Sequence, residues 1–224
     1  MTPKLASLQT AFFFEGTIGD IVKEDELSVT FRKQLSNLDL KSTILQVPKE
    51  IPDIPFLILQ SKDNGHKINI SNTRGDYFYN SRVFKTIEDE KELLHGYVTT
   101  MFKILQENKI KINRIGNIAT FIIDNDNPIK KIEEKFIATN KQTSFDELLI
   151  RYNRKETVDH INLNVITTIT SGQYKIDEKD NKAIIIQKDI NSDGKYNFTE
   201  ELFKQLIDTS DRLSTSATIS SLFE

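Results

Sequence analysis

Ile54–Asn72 reads IPFLILQSKDNGHKINISN. Two strand-favouring runs, Phe56 to Gln60 and Lys67 to Ser71, flank Asp63-Asn64-Gly65, and Gly65 readily takes a positive φ. That pattern predicts a β-hairpin. A hairpin joins neighbouring antiparallel strands without a crossover helix. The stretch therefore argues against a doubly wound parallel sheet and for an α+β class.

Immediately upstream, PKEIPDIP (Pro48–Pro55) holds three prolines in eight residues, which excludes helix and central strand. Before it, Leu27, Phe31, Leu35 and Leu38 mark one helical stripe over Asp25 to Leu38. Residues 11–22, AFFFEGTIGDIV, predict a first strand that buries Phe12, Phe14 and Ile18. Gly16 and Gly19 fall inside it and suit a β-bulge better than a nucleotide fingerprint, which needs a third glycine and a following helix. Downstream, a strand is expected over Asp76 to Val83. Thr86 with Asp89 three residues on forms a capping box for a long helix that buries Ile87, Leu94, Tyr97, Val98, Met101, Phe102 and Leu105 and ends near Asn108.

The second half repeats that order. Ile112 to Asp124 is strand-like, and Pro128 suits the first turn of a short helix with Ile129, Ile132 and Phe136 on its apolar side. Strands follow over Leu148 to Tyr152, Thr157 to Gln173 and Ala183 to Gln187, with a polar turn at Lys175 to Asn181. A last helix runs from Thr199. The expectation is two similar halves, 1–110 and 111–224, each an antiparallel sheet with a long amphipathic helix on one face, joined near DNDNP (Asp124–Pro128) into one unit. A duplication is inferred from element order alone.

Composition narrows the chemistry. The 224 residues contain no cysteine, which removes disulfides, thiolate metal sites and cysteine nucleophiles and fits a reducing compartment. A net charge of −3 gives no global basic field for nucleic acid, although a local basic patch is compatible with it. The N-terminal stretch lacks the apolar core of a signal peptide, and no window approaches the roughly 18 apolar residues of a membrane span. The expected setting is cytoplasmic and bacterial.

Three segments in order, YFYNSRV (Tyr77–Val83), INRIGNIATFIID (Ile112–Asp124) and AIIIQKDI (Ala183–Ile190), precede a terminal helix finishing ISSLF. Over the last two thirds of the chain this order resembles a widespread family of uncharacterised bacterial proteins. In that family an Asn-aromatic-Arg segment, an Arg-Ile-Gly strand and a strand with an acidic end recur. The matching positions are Asn80 and Arg82, Arg114 to Gly116, and Asp189, while Ser81 stands where the family has an aromatic. The resemblance implies a duplicated α+β architecture and a setting in mobile elements or defence. It implies no reaction.

Two segments suggest ligands. In DINSDGKYNFTEEL (Asp189–Leu202), Asp189, Asn191, Asp193, Lys195, Asn197 and Glu200 occupy positions 1, 3, 5, 7, 9 and 12 of a calcium loop, with Lys195 offering its carbonyl and Gly194 the sharp turn. A strand enters this loop where an EF-hand has a helix, and no second loop pairs with it. An Asx-rich turn with Asn197 and Glu200 as a capping box accounts for the same residues and is preferred, so calcium is the alternative cofactor. RYNRK places Arg151, Arg154 and Lys155 around a tyrosine, the composition of a backbone-tracking nucleic-acid surface. His66, His95 and His160 show no metal-ligand spacing and read as exposed polar residues. No nucleophile elbow appears. The expected function is a non-enzymatic binding or scaffold component with a protein partner. The alternatives are a calcium-binding protein and a nucleic-acid accessory factor, and a homo-oligomer is compatible with each.

Overall fold

A computed structural model describes residues 2–224 except 20, 49, 138–144, 159, 177 and 178. The chain runs β1 (Lys4–Phe14), α1 (Glu24–Gln34), β2 (Leu40–Ile44), β3 (Leu57–Ser61), β4 (His66–Ile70), β5 (Arg74–Asn80), α2 (Ile87–Glu107) and β6 (Ile112–Asp124). It continues through α3 (Pro128–Phe136), β7 (Leu149–Val158), β8 (Ile161–Ile176), β9 (Lys179–Ser192), α4 (Glu200–Leu213) and α5 (Ser216–Ser220). Among the described residues the nine strands form one antiparallel sheet in the order β2-β3-β4-β5-β1-β6-β9-β8-β7. The class is α+β, as the hairpin implied. The expected pair of sheets is instead a single sheet, because β1 pairs with β6 along its length, from Lys4↔Ile122 to Phe14↔Ile112.

Period-two alternation sorts the strands into two faces. In β1, Leu8, Thr10, Phe12 and Phe14 are buried beneath the helices, whereas Gln9 and Phe13 point the other way and are half-buried. The irregular step between Leu5 and Ser7 returns Leu5 to the buried side. Phe12, Phe102 of α2 and Phe203 of α4 form the centre of the core. The Phe102 and Phe203 rings stack at 4.3 Å and 6°.

Local chemistry fixes the ends. In the hairpin, Asp63 accepts from Ser61 Oγ at 2.5 Å and from the Gly65 amide at 3.0 Å. The left-handed residue is Asn64, at φ 59°, rather than Gly65. Thr86 caps α2 through the Asp89 amide at 3.3 Å, as expected. The α4 cap is Thr199, which accepts from the Leu202 amide at 3.2 Å, so the expected Asn197–Glu200 box does not form.

Several boundaries differ from expectation. The first strand is Lys4–Phe14, not 11–22, and Gly16 lies in the turn after it at φ 90°, so no bulge is made there. β2 was not anticipated. The expected strand over 157–173 divides into the end of β7 and β8, and β8 and β9 run on to within two residues of each other at 177–178, which lie outside the described residues. No helix among the described residues is long and apolar enough to cross a membrane.

Candidate functional site

The helices take one face of the sheet and leave the other accessible. On the open face alternate residues of each strand are mostly half-buried or exposed, and many are amides, hydroxyls and cations. Lys4, Lys41, Lys67, Arg74, Arg114, Arg151 and Lys155 stand there against Asp76, Asp124, Asp189 and, at the end of β9, Asp193. Negative charge gathers on the helices instead: α1, α2 and α4 open with Glu24-Asp25-Glu26, Glu88-Asp89-Glu90 and Glu200-Glu201. Those carboxylates are favoured by the positive helix N-termini.

At one end of the open face lies a cleft of about 810 Å³. Its floor is Phe13, flanked in register by Arg74 on β5 and Arg114 on β6. Both guanidinium carbons sit over the Phe13 ring, at 5.4 and 5.0 Å from its centroid, a cation–π arrangement on both sides of one aromatic.

Buried acceptors orient each arginine. Arg74 Nε donates to Asp76 Oδ2 at 2.7 Å, and Asp76, only 5% exposed, also accepts from Gln9 Nε2 at 2.9 Å. Arg114 Nη2 donates to Asn191 Oδ1 at 3.2 Å. Asn191 also accepts from Asn164 Nδ2 at 3.2 Å and donates to Asp189 Oδ1 at 2.9 Å. The rim carries Asp53, Asn113, Asp193 and Lys195. Asp53 accepts from Thr73 Oγ1 at 2.5 Å, and Asp193 accepts from Lys155 Nζ and from Asn164 Nδ2. The Lys155 bond, helped by Asn164, holds the Asp193 carboxyl below its usual range.

Asp189 and Asn191 are therefore consecutive open-face residues of β9, and Asp193 follows where the strand ends. Lys195 reaches the rim and Asn197 is exposed. Glu200 is not brought to them, because its carboxylate pairs with Lys103 of α2 at 2.9 Å. Among the described residues no group of three His, Asp or Glu is placed to hold a metal ion. The basic trio is split by strand alternation. Arg151 and Lys155 face the open side, whereas Arg154 lies opposite and pairs with Glu156 at 2.9 Å.

Two of the three histidines, His66 and His95, depart from the expected exposure. His66 Nδ1 is 2.8 Å from Tyr77 Oη and its ring lies among Tyr77, Tyr79 and Tyr97, so burial pushes its pKa down. His95 Nε2 is 2.8 Å from Asp211 Oδ1, tying α2 to α4. His160 is exposed, and its neighbour 159 lies outside the described residues.

Sequence reasoning missed Phe13, Arg74 and Asp76. In AFFF the burial expectation names Phe12 and Phe14 and passes over Phe13, which the pairing of β1 with β5 and β6 sets on the opposite side beside Arg74 and Arg114. Arg74 lay outside the expected strand over 76–83. The chain matches no family model and no curated protein.

Proposed function

We propose that this protein is a non-enzymatic binding protein that holds single-stranded nucleic acid on the open face of its sheet. The Phe13 ring between Arg74 and Arg114 carries the reading. Phe13 holds both guanidiniums over its ring, and their planes offer faces on which a base can stack and N–H groups that meet the backbone. Phe78, also half-buried on this face, lies one strand over and four residues along, roughly 13 Å away in the strand direction. Arg151 and Lys155 extend the cationic track to the β7 edge, and the Asn, Gln and Thr side chains between supply donors and acceptors for base edges.

Titration of a fluorescent 12-nucleotide strand at low salt tests this by anisotropy. Binding should weaken steeply with added salt, and Arg151→Gln with Lys155→Gln should make the slope shallower. Phe13→Ala should weaken binding by about tenfold by releasing the two guanidiniums that rest on its ring. Absence of binding by folded protein at low salt would end the nucleic-acid reading.

A protein partner at the β2 edge is a second proposal. Ile44, Leu45, Ile51 and Ile54 are each 39–47% exposed beside that edge, which no strand among the described residues pairs, a local apolar concentration of the kind buried by partners or by a second copy. Ile44→Asp with Ile54→Asp should leave native mass unchanged if no such contact forms.

The duplication is likewise proposed. β1 and β6 each lead to a helix, then to a meander whose last strand returns beside them, then to a second helix. In an experimental structure, β1, α1, β5 and α2 should superpose on β6, α3, β9 and α4. Mismatched strand directions after superposition would remove the idea.

A further inference from the structure

We infer that the Phe13–Arg74–Arg114 cleft is a pocket for a terminal phosphomonoester, so that the protein recognises a phosphorylated strand end. This rests on the strand-binding reading and goes beyond it. A phosphodiester within a strand carries one negative charge, whereas a terminal phosphate carries about −1.5 to −2 at neutral pH and three strong acceptor oxygens.

The cleft is built for the larger charge. Two guanidiniums converge on it, and Lys195 stands exposed on its rim. Asp76 and Asn191, 5% and 6% exposed, fix the guanidiniums from below and leave their outer N–H groups toward the cleft. An arginine fork positioned in that way meets phosphate oxygens in pairs, which a lysine point charge does not reproduce. Of the two rim carboxylates, Asp193 is paired with the Lys155 ammonium, and Asp53 keeps its charge but has one oxygen occupied by the Thr73 hydroxyl.

Position supplies the second argument. The cleft lies where β1 and β9 finish and β5 and β6 begin. Beyond it the connecting segments are tied together: the Asn72 amide donates to Pro52 O at 2.9 Å, Ile18 to Asn72 O at 3.0 Å, and Tyr196 to Asn113 O at 2.7 Å. A strand laid along the open face meets this backbone at the cleft and ends there.

The test compares 12-nucleotide strands of one sequence bearing a 5′-phosphate, a 3′-phosphate or hydroxyl ends, each labelled at the opposite end. One phosphorylated end should bind about tenfold tighter than hydroxyl, and which end it is gives the polarity. The double variant Arg74→Gln, Arg114→Gln should abolish that preference while keeping residual binding. Arg114→Lys retains the charge but not the fork and should recover less than half of the tenfold factor. Arg151→Gln, which leaves the Lys155–Asp193 pair on the rim intact, should weaken all strands alike. Equal affinity for all three ends overturns the pocket and leaves the strand reading standing. If no strand binds, the strand reading falls and the pocket is judged separately by inorganic phosphate. Phosphate should raise the Tm of the wild type and not of the double glutamine variant, and an equal response in both overturns it.

Discussion

Lys188 lies on the helix-covered side of β9, 3% exposed, and its ammonium donates to Thr167 Oγ1 at 3.0 Å. Burial pushes its pKa down to about 8; Arg154 adds to the shift and Glu156, which also binds Arg212 of α4, opposes it. An unfolded lysine titrates near 10.4. Between about pH 8 and 10.4 the unfolded chain thus holds more protons than the folded one, so stability rises with pH across that window. Urea unfolding of the wild type should show this rise from pH 8 to 10. Lys188→Met should flatten it and, by removing a buried charge, add about 1 kcal/mol at pH 7. An unchanged pH slope in the variant would reject the assignment. Nothing in AIIIQKDI marks this lysine, since its side of the sheet is set by register with β6 and β8. The same holds for Phe13 and Arg154. Each is an ordinary letter in the sequence until strand pairing says which way it points.

At the scale of elements, helix caps separate what local sequence decides from what it leaves open. Thr86 was legible because one capping residue precedes one apolar stripe. Before α4, Asn197 and Thr199 both stand at plausible spacing, and the backbone selects Thr199, because the Tyr196 and Phe198 amides donate to Asn113 and Ile112 carbonyls at 2.7 and 3.3 Å and hold that stretch along β6. Thr199→Ala should cost about 1 kcal/mol in thermal or urea unfolding, while Asn197→Ala should change little. Equal losses would restore the expected box. Strand boundaries were less legible than helices for a related reason. Lys4–Phe14 begins with a weakly apolar stretch, and only pairing with both β5 and β6 makes it a central strand. β2 owes its strand state to β3 alone, and its sequence, LKSTI, carries little signal of its own.

The whole molecule turns on the β1–β6 seam. Phe12 against Ile115 and Leu5 against Phe121 bury apolar side chains contributed from both halves, and α2 meets α4 across the same line through Phe102 and Phe203. Neither half can cover these surfaces by itself, so unfolding should be cooperative. Far-ultraviolet circular dichroism and tyrosine fluorescence should report one coincident thermal transition, and residues 1–110 expressed alone should fail to fold. Two separated transitions, or a folded 1–110 fragment, would contradict a shared core.

The sequence by itself determined the class and the helices. Hairpin chemistry at Asp63–Gly65, the proline block at 48–55 and the 3.6-residue stripe of α2 act within a few residues of chain, where propensity and periodicity are written directly. It also placed Arg114, Asp189, Asn191 and Asp193 among the residues of interest. Only the tertiary structure decided that the strands make one sheet with a helix-free face, that Arg74 and Arg114 meet over Phe13, and that Arg154 and Glu200 turn away from the neighbours their spacing suggested. Those outcomes depend on which strands lie side by side and in what register. A one-residue shift would send every side chain to the opposite face, and that pairing is fixed by the burial of the shared core rather than by any local run of residues.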